Sequence, residues 1–428
     1  MLNRCITKWL ALLGGVMLAA SVALAQDNKA LLDALVKKGI LTDDEAKQIA
    51  AEVSQGKTAT PVVTGASKYL QKLTFSGRIQ TQFADIGTSV NGAPASAHPP
   101  ATEHFAMRRL YFGFKADLGD GFSGVVNYDF ANLSFDAAYI EWKQSDALVI
   151  DGGLRKVPFG YEETTSSGAL KAIERSPATR YFVESNNGRR LGAGSYHLGL
   201  YVGGTQEGVF YNAAITNPER DEFSTGDSTT NATPGVNNTG GSTNNNLAYW
   251  GNLGYSGKCS GGCSYKVGIE GGYLPDQGGQ SNTALGTGQN LTVYGAFVDA
   301  TYAGFNLAGE YLDSKDQHGA SATLGAKPKG YWIQPSYMFT KELEGVVRYS
   351  SLDSNGRGIN LSDGIKYAPS GGTMNKMDEW YIGGNWYIKG NDVKLQAGYI
   401  IGESKNTVAG GTAKAKSDGF RSQMQLNF

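Results

Sequence analysis

The 428-residue chain carries 38 Lys and Arg against 39 Asp and Glu, a formal net charge of −1, and only 18% of its residues are charged. A near-neutral total predicts no nucleic-acid partner, because such a partner demands a strong positive excess. The richness in Gly and Tyr does not suit a disordered chain, and no stretch after residue 25 reaches the about 18 consecutive apolar residues of a spanning helix.

The first 25 residues have the layout of a secretory signal peptide. Arg4 and Lys8 precede an apolar stretch that ends in the small-residue pattern Ala-Leu-Ala at residues 23–25. A signal peptidase cleaves after such a pattern, so residues 1–25 are predicted to be removed. An uncleaved membrane anchor is the alternative, but the apolar stretch is shorter than the about 20 residues that a spanning helix needs.

Residues 26–54 are predicted to form a short helical hairpin in the periplasm. Apolar residues form a stripe over residues 31–36, and Thr42 with Glu45 forms a capping box for a second helix. So small a unit buries little of its own surface, so we expect it to associate with copies of itself or with another periplasmic component. A passive tether is the alternative. Residues 55–68 are predicted to be the linker to the rest of the chain.

Residues 69–428 contain about sixteen segments of about ten residues in which apolar and polar residues alternate, as tilted strands of a membrane barrel require. In one segment Tyr265, Ile269 and Tyr273 share a parity, while Lys266 and Glu270 take the other. One face of each strand would meet lipid and the other water. The predicted fold is therefore all-β, a transmembrane antiparallel β-barrel of about sixteen strands, preceded by the helical hairpin.

Connection lengths support the barrel, because short turns and long loops alternate along the chain. Short turns are predicted near 119–121, 145–146, 204–206, 258–262, 303–304, 341–342 and 390–392. Longer loops are predicted at about 86–104, 156–193, 218–245, 275–288, 315–328, 354–375 and 404–415, and only the connection near 132–134 breaks this set. Short periplasmic turns and long external loops are typical of outer-membrane barrels, whereas a soluble β-sandwich does not sort its loops this way.

The chain ends and the cysteines add three expectations. An even strand number places both ends of the barrel in the periplasm. The final strand ends in Phe428, and a C-terminal Phe resembles the recognition signal for the barrel assembly machinery. Cys259 and Cys263 share one short turn and are predicted to form a disulfide in an oxidising compartment. A metal site is the alternative, but it needs two further ligands, and no His lies nearby.

Four segments are distinctive: RRLYFGFKADLGDGF at 108–122, DAAYIEW at 136–142, GLRKVPFG at 153–160 and IERSP at 173–177. Together they resemble the phosphate-selective porin O and P family. The resemblance implies a sixteen-stranded, trimeric barrel in the Gram-negative outer membrane, with basic residues around an anion-conducting pore. It also implies that the loop opened by residues 156–159 folds inward and narrows the channel.

The predicted constriction follows from the charges of this loop and the neighbouring strands. Residues 155–190 contain seven basic and four acidic side chains, an excess that would attract anions in a confined site. Ion pairing within the loop is the alternative role for these side chains. The pore and constriction candidates are Arg109, Lys115, Arg155, Lys156, Lys171, Arg175, Arg180, Arg189 and Arg190.

The predicted function is passive diffusion of small hydrophilic solutes, with anions such as phosphate preferred. Strand alternation also points Asp129, Glu141 and Glu270 inward, so a general, weakly selective porin is an alternative. A structural or adhesive barrel is a third reading. A hydrolytic barrel needs His beside a nucleophile or carboxylate, and none of the four His lies in such a motif, so neither an enzyme nor a cofactor is predicted.

Overall fold

The computed structural model describes residues 67, 69–91, 98–185, 187–218, 247–259, 261–275, 290–321, 324–406 and 413–428. The predicted signal peptide, the helical hairpin, most of the linker and most of the loop predicted at 218–245 lie outside these residues. None of the helices in the described ranges is long and apolar enough to cross a membrane.

The described residues from Lys72 onward form one antiparallel sheet that closes on itself. Its strands are β1 Lys72–Val90, β2 Thr102–Gly119, β3 Phe122–Asp129, β4 Ser134–Lys143, β5 Val149–Lys156, β6 Tyr196–Gln206, β7 Val209–Thr216, β8 Ala248–Cys259, β9 Cys263–Leu274, β10 Leu291–Tyr302, β11 Phe305–Ser321, β12 Leu324–Ala326, β13 Lys329–Met338, β14 Leu343–Asp353, β15 Lys376–Asn391, β16 Val393–Lys405 and β17 Lys414–Asn427. Because β12 and β13 both pair with β11, they occupy one position in the barrel. The predicted barrel of sixteen strands is confirmed.

The first and last strands close the barrel. Their register runs from Arg78 opposite Asn427 to Val90 opposite Ala415. Beyond it, the Gly77 N–H donates to the Phe428 carbonyl at 2.7 Å, and the Phe428 N–H returns a bond to the Gly77 carbonyl at 3.1 Å. A closed sheet leaves no unpaired strand edge, which is the condition for crossing hydrocarbon with strands.

The two faces of the wall differ in chemistry, as the alternation predicts. Outside, Ile269 and Trp380 expose 62% and 47% of their surface, whereas the neighbouring Glu270 and Glu379 face inward and expose 6% and 2%. Inside, glutamines from β1, β17 and β16 bond across the strands. Their amides join Gln80 to Gln425, Gln82 to Gln423 and Gln423 to Gln396 at 2.6–2.8 Å.

Several short turns need residues with a positive φ. Asp120–Gly121 and Ala303–Gly304 form two-residue turns with φ between +48° and +84°, the conformation that matches the twist of paired strands. The turn predicted at 204–206 is instead formed by Glu207 and Gly208, because β6 continues to Gln206. The loop predicted at 315–328 is also wrong in part, since β11 extends to Ser321 and pairs with β12.

Cys259 and Cys263 flank the turn between β8 and β9. They are register partners, with their Cα atoms 5.0 Å apart. Their sulfur atoms are joined in a disulfide. The disulfide therefore joins the last residue of β8 to the first residue of β9, which the strand pairing already holds opposite each other.

The apolar core lies inside the barrel and is formed by two long connections together with the wall. The inner segment, residues 157–195, contains α1 Tyr161–Thr164 and α2 Pro177–Val183, and Ser176 caps α2 because its hydroxyl accepts the Thr179 N–H. The second connection, residues 354–375, contains α3 Leu361–Gly364. Apolar side chains from both connections pack into one cluster with a similar number from the strands of the wall; the connections supply, among others, Val157, Phe159, Ile173, Phe182, Leu191, Ile359, Leu361 and Ile365.

Candidate functional site

The inner segment is tied to the far wall of the barrel through its backbone carbonyls. The Lys394 ammonium on β16 donates to the carbonyls of Gly168 and Leu170 at 3.0 and 2.9 Å. The Gln396 amide donates to the carbonyls of Leu170 and Lys171 at 3.2 and 3.0 Å. Lys171 itself reaches Glu344 on β14 at 2.7 Å. These bonds hold the middle of the segment against strands that are distant from β5.

Buried carboxylates hold the start of the same segment. Glu270 accepts the Gly160 N–H at 3.0 Å, and Glu310 accepts the Tyr161 N–H at 2.5 Å and the Trp332 indole N–H at 2.8 Å. These backbone N–H groups belong to the first turn of α1 and have no partner within the helix. Polar residues of the wall therefore provide the bonds that a short helix cannot make itself.

Several cavities lie between the inner segment and the wall, and two of them share lining residues. The upper cavity has a volume of about 510 Å³ and reaches Asn132 and Lys366, at the end of the barrel with the long connections. The lower cavity has a volume of about 1040 Å³ and reaches Asp146 and Gly204, at the short-turn end. Lys156 and Thr164 line both cavities, so we call these two residues the eyelet.

Basic side chains outnumber acidic ones in both cavities. The seven cations of the upper cavity are Arg78, Arg108, Arg109, Lys156, Arg175, Arg190 and Lys366, and its four carboxylates are Asp129, Asp136, Glu163 and Glu184. The five cations of the lower cavity are Lys115, Lys143, Arg155, Lys156 and Lys266, and its two carboxylates are Glu141 and Asp146. The route along this wall is therefore net positive on both sides of the eyelet.

Some of these cations are neutralised by ion pairs. Glu163 contacts Lys156 at 3.1 Å and Arg175 at 2.8 Å. By contrast, the Arg78 guanidinium donates to the hydroxyls of Ser166 and Ser167 and to Asn427. Arg109 likewise donates to the Gln80 amide oxygen at 2.7 Å. In the part of the chain that the structure describes, neither arginine has a carboxylate within ion-pair distance.

The charge states of the loop residues follow from their neighbours. Burial would raise the pKa of the Glu184 carboxyl, but Arg180 and Arg190 outweigh it and hold that pKa at about 2. Burial lowers the pKa of Lys366 to about 8, with repulsion from Arg180 and Arg108 acting in the same direction. Glu184 is therefore ionised at any physiological pH, whereas Lys366 titrates close to physiological pH.

The structure separates the predicted constriction residues into three groups. Arg109, Lys156, Arg175 and Arg190 line the upper cavity, and Lys115 and Arg155 line the lower one. In the lower cavity, Lys115 pairs with Glu141 at 2.8 Å, and Arg155 contacts Asp151. Lys171, Arg180 and Arg189 line neither of these two cavities, although Lys171 lines a separate cavity of about 610 Å³ together with Tyr161 and Asp299. Lys171, Arg180 and Arg189 pair with Glu344, Glu184 and Asp363 at 2.7, 2.8 and 2.6 Å.

Sequence reasoning did not propose Arg108, Lys266 or Lys366 as lining residues. Strict alternation would point Arg108 outward, yet it bonds Glu174 of the inner segment at 2.6 Å. The exposed residues of β2 change parity between Met107 and Phe114. A one-residue slip of this kind turns two consecutive side chains to the same face. Two consecutive arginines were the sequence signal that could have identified Arg108 as a lining residue. No comparable signal surrounds Lys366.

Comparison with solved structures identifies the same architecture in bacterial outer-membrane channels. An anion-selective porin from Comamonas acidovorans superposes with a TM-score of 0.54 at 10% identity, over 83% of this chain and 99% of that one. OmpF of Salmonella typhi, in complex with daunomycin, gives 0.50 at 13% identity, over 82% and 97%. OmpTΔL8 of Vibrio cholerae gives 0.51 at 11% identity, over 83% and 99%. Identities this low show the fold alone.

The family comparison is more specific. The model of the family "Phosphate-selective porin O and P" matches residues 73–428. This range covers the barrel from the second residue of β1 to the C-terminus. No curated protein matches the chain. The family and the barrel fold point to a channel in the outer membrane. The chain belongs to the phosphate-selective porin O and P family.

Proposed function

We propose that this porin passes small hydrophilic anions, phosphate among them, along the wall formed by β1–β9, and that the basic inner segment narrows the path. The observation that carries the proposal is the pair Arg78 and Arg109. Both side chains line the upper cavity, and both are bonded only to neutral groups in the described structure. Their positive charge is therefore not neutralised by a fixed carboxylate.

Confinement makes these two charges effective. A unit charge acts more strongly in a narrow, partly dehydrated passage than on an open surface, because water screens it less. The paired cations, such as Arg175, contribute less, since Glu163 offsets them at short range. Anion preference therefore depends on a few unpaired residues rather than on the total count of basic side chains.

The test is the reversal potential of the purified, refolded protein in a planar bilayer under a KCl gradient. We expect an anion-side potential, which added phosphate lowers by competing with chloride. The double variant Arg78→Gln and Arg109→Gln should move the potential towards zero and raise the phosphate concentration for half-block by about ten-fold. The matched control is Arg189→Gln, because Arg189 pairs with Asp363 and lines neither cavity.

Other results would favour the alternatives. A weak potential that phosphate and the double variant leave unchanged would identify a general porin. The absence of any current would favour a structural or adhesive barrel and contradict the proposed conduction.

We further propose the setting in which this channel works. The family resemblance supports a homotrimer embedded in the outer-membrane bilayer, with the N-terminal hairpin in the periplasm and Phe428 as the signal for the barrel assembly machinery. The Phe428 side chain is 62% exposed on the outer face, next to the closing strand pair. Removing Phe428 should lower the amount of folded protein in the outer membrane, measured by heat-modifiable gel mobility. Unchanged folding would contradict this role.

A further inference from the structure

Cations gather where the inner segment meets the second connection and the last strand. We call Arg108, Arg109, Arg180, Lys366 and Arg421 the upper cationic cluster. Two carboxylates lie among them. Arg108 donates two hydrogen bonds to Glu174, at 2.6 and 3.1 Å, and Arg180 donates two to Glu184, both at 2.8 Å. Within the described residues, no carboxylate lies at ion-pair distance from the other three cations.

Two guanidinium nitrogens of the cluster have no acceptor among the described residues. They are Arg180 Nη1 and Arg421 Nε, and each residue exposes only 2% of its surface. Arg421 donates instead to the Lys366 carbonyl through its other nitrogen. The Arg421 guanidinium and the Lys366 ammonium both lie over the Tyr367 ring, 5.9 and 5.5 Å from its centroid. Donors from β17 and the second connection thus approach one ring, and Arg180 of α2 is near enough to repel both cations.

A bound water would satisfy the N–H groups but would not neutralise the charge. Burying unpaired charge is unfavourable unless a counter-charge accompanies it. The two carboxylates have no further charge to give, because the pKa of Glu184 is already about 2 and that of Glu174 lies well below its usual range. Repulsion from Arg180 and Arg108 adds to burial in lowering the pKa of Lys366. Among the residues that the structure describes, none supplies the missing negative charge.

We propose that a small inorganic anion, a halide or a phosphate-type oxyanion, resides against Arg180, Lys366 and Arg421 and joins the inner segment to the second connection. This anion is a structural ligand rather than a passing solute. Its donors lie on three separate elements, so its loss would loosen the contact between α2 and residues 365–367. The proposal does not depend on the selectivity of the channel.

The test is thermal unfolding of the full, folded protein in detergent, followed by circular dichroism. Sodium chloride, sodium phosphate and sodium gluconate are compared at equal ionic strength, with gluconate as the bulky organic anion. We expect the unfolding temperature to rise with chloride or phosphate concentration but not with gluconate, because a ligand that binds only the folded state stabilises it. The more stabilising salt identifies the halide or the oxyanion.

Variants make the test specific. Arg421→Gln should raise the anion concentration for half of the stabilisation by about ten-fold, whereas Arg189→Gln should leave it unchanged. The effect of Lys366→Met on the unfolding temperature should change sign with the salt. The variant should unfold at a higher temperature than the unmodified protein in gluconate and at a lower temperature in chloride or phosphate. Without an anion, the substitution only removes a repelled cation.

Crystals grown in bromide would show the bound anion directly, and this test remains available if Arg421→Gln fails to fold. If the proposal holds with a halide, an anomalous peak is expected between Lys366 and Arg421. With an oxyanion, phosphate-grown crystals should show a tetrahedral density there instead. Equal unfolding temperatures in all three salts, or a site with neither peak nor density, would overturn the proposal. The bilayer reversal potential tests the channel separately.

Discussion

Replacing Arg348 with methionine should release the inner segment and raise single-channel conductance by roughly two-fold or more, because the lost charge leaves two buried carboxylates unpaired. Arg348 is 2% exposed on β14 and contacts Glu162 at 3.0 Å and Glu379 at 2.8 Å. It also donates to the Glu174 carbonyl at 2.7 Å. Removing one partner of such a network costs about 3–5 kcal/mol.

Conductance and thermal unfolding, measured on the same preparation, check this prediction. The barrel wall holds its own ladder of strand hydrogen bonds, so the lowest-cost response is for Glu162 to carry the inner segment away from β14 towards water. The variant should therefore remain a barrel by its far-ultraviolet circular dichroism, yet show a larger and noisier current.

The triple variant Glu162→Gln, Arg348→Met and Glu379→Gln is the matched control. It removes the two uncompensated charges, so both the conductance and the unfolding temperature should return towards those of the unmodified protein. A single variant with unchanged conductance and stability would show that Arg348 does not hold the segment.

The barrel itself could be predicted because its determinants are local and periodic. Alternation at Tyr265, Ile269 and Tyr273 fixes which face meets lipid, and a shift by one residue would place Lys266 and Glu270 there instead. Turn residues indicate where the hairpins lie. The turn predicted at 204–206 is nevertheless formed by Glu207 and Gly208, so strand pairing decides its exact position. Each of these features can be read within about ten residues of sequence.

The site could be predicted only in part because it depends on distant pairings. Loop charge alone identifies Arg175 and Arg180 as equal candidates, but one lines the upper cavity and the other is buried against Glu184. Lys366 enters the cavity because residues 354–375 pack on the inner segment across the lumen. Nothing near Lys366 in the sequence encodes that contact, and no periodic pattern extends through such a loop.

Anion selectivity should decline as the pH rises from about 7 to about 9, because Lys366 loses its proton in this range. Its pKa is lowered to about 8 by burial and by repulsion from Arg180 and Arg108. The ammonium is therefore present below pH 8 and lost above it. The same shift makes the folded protein more stable as the pH rises through this range, since the unfolded chain then binds more protons. The reversal potential at constant salt measures the first effect.

Lys366→Arg is the control that isolates this group, since a guanidinium keeps its charge throughout the range. Its reversal potential should stay level where that of the unmodified protein declines, and an equal decline in both would exclude Lys366 as the cause. An anion resident in the upper cationic cluster would favour the ammonium and raise the midpoint pH with chloride concentration. A midpoint that gluconate shifts equally would contradict the resident anion and leave the titration of Lys366 intact.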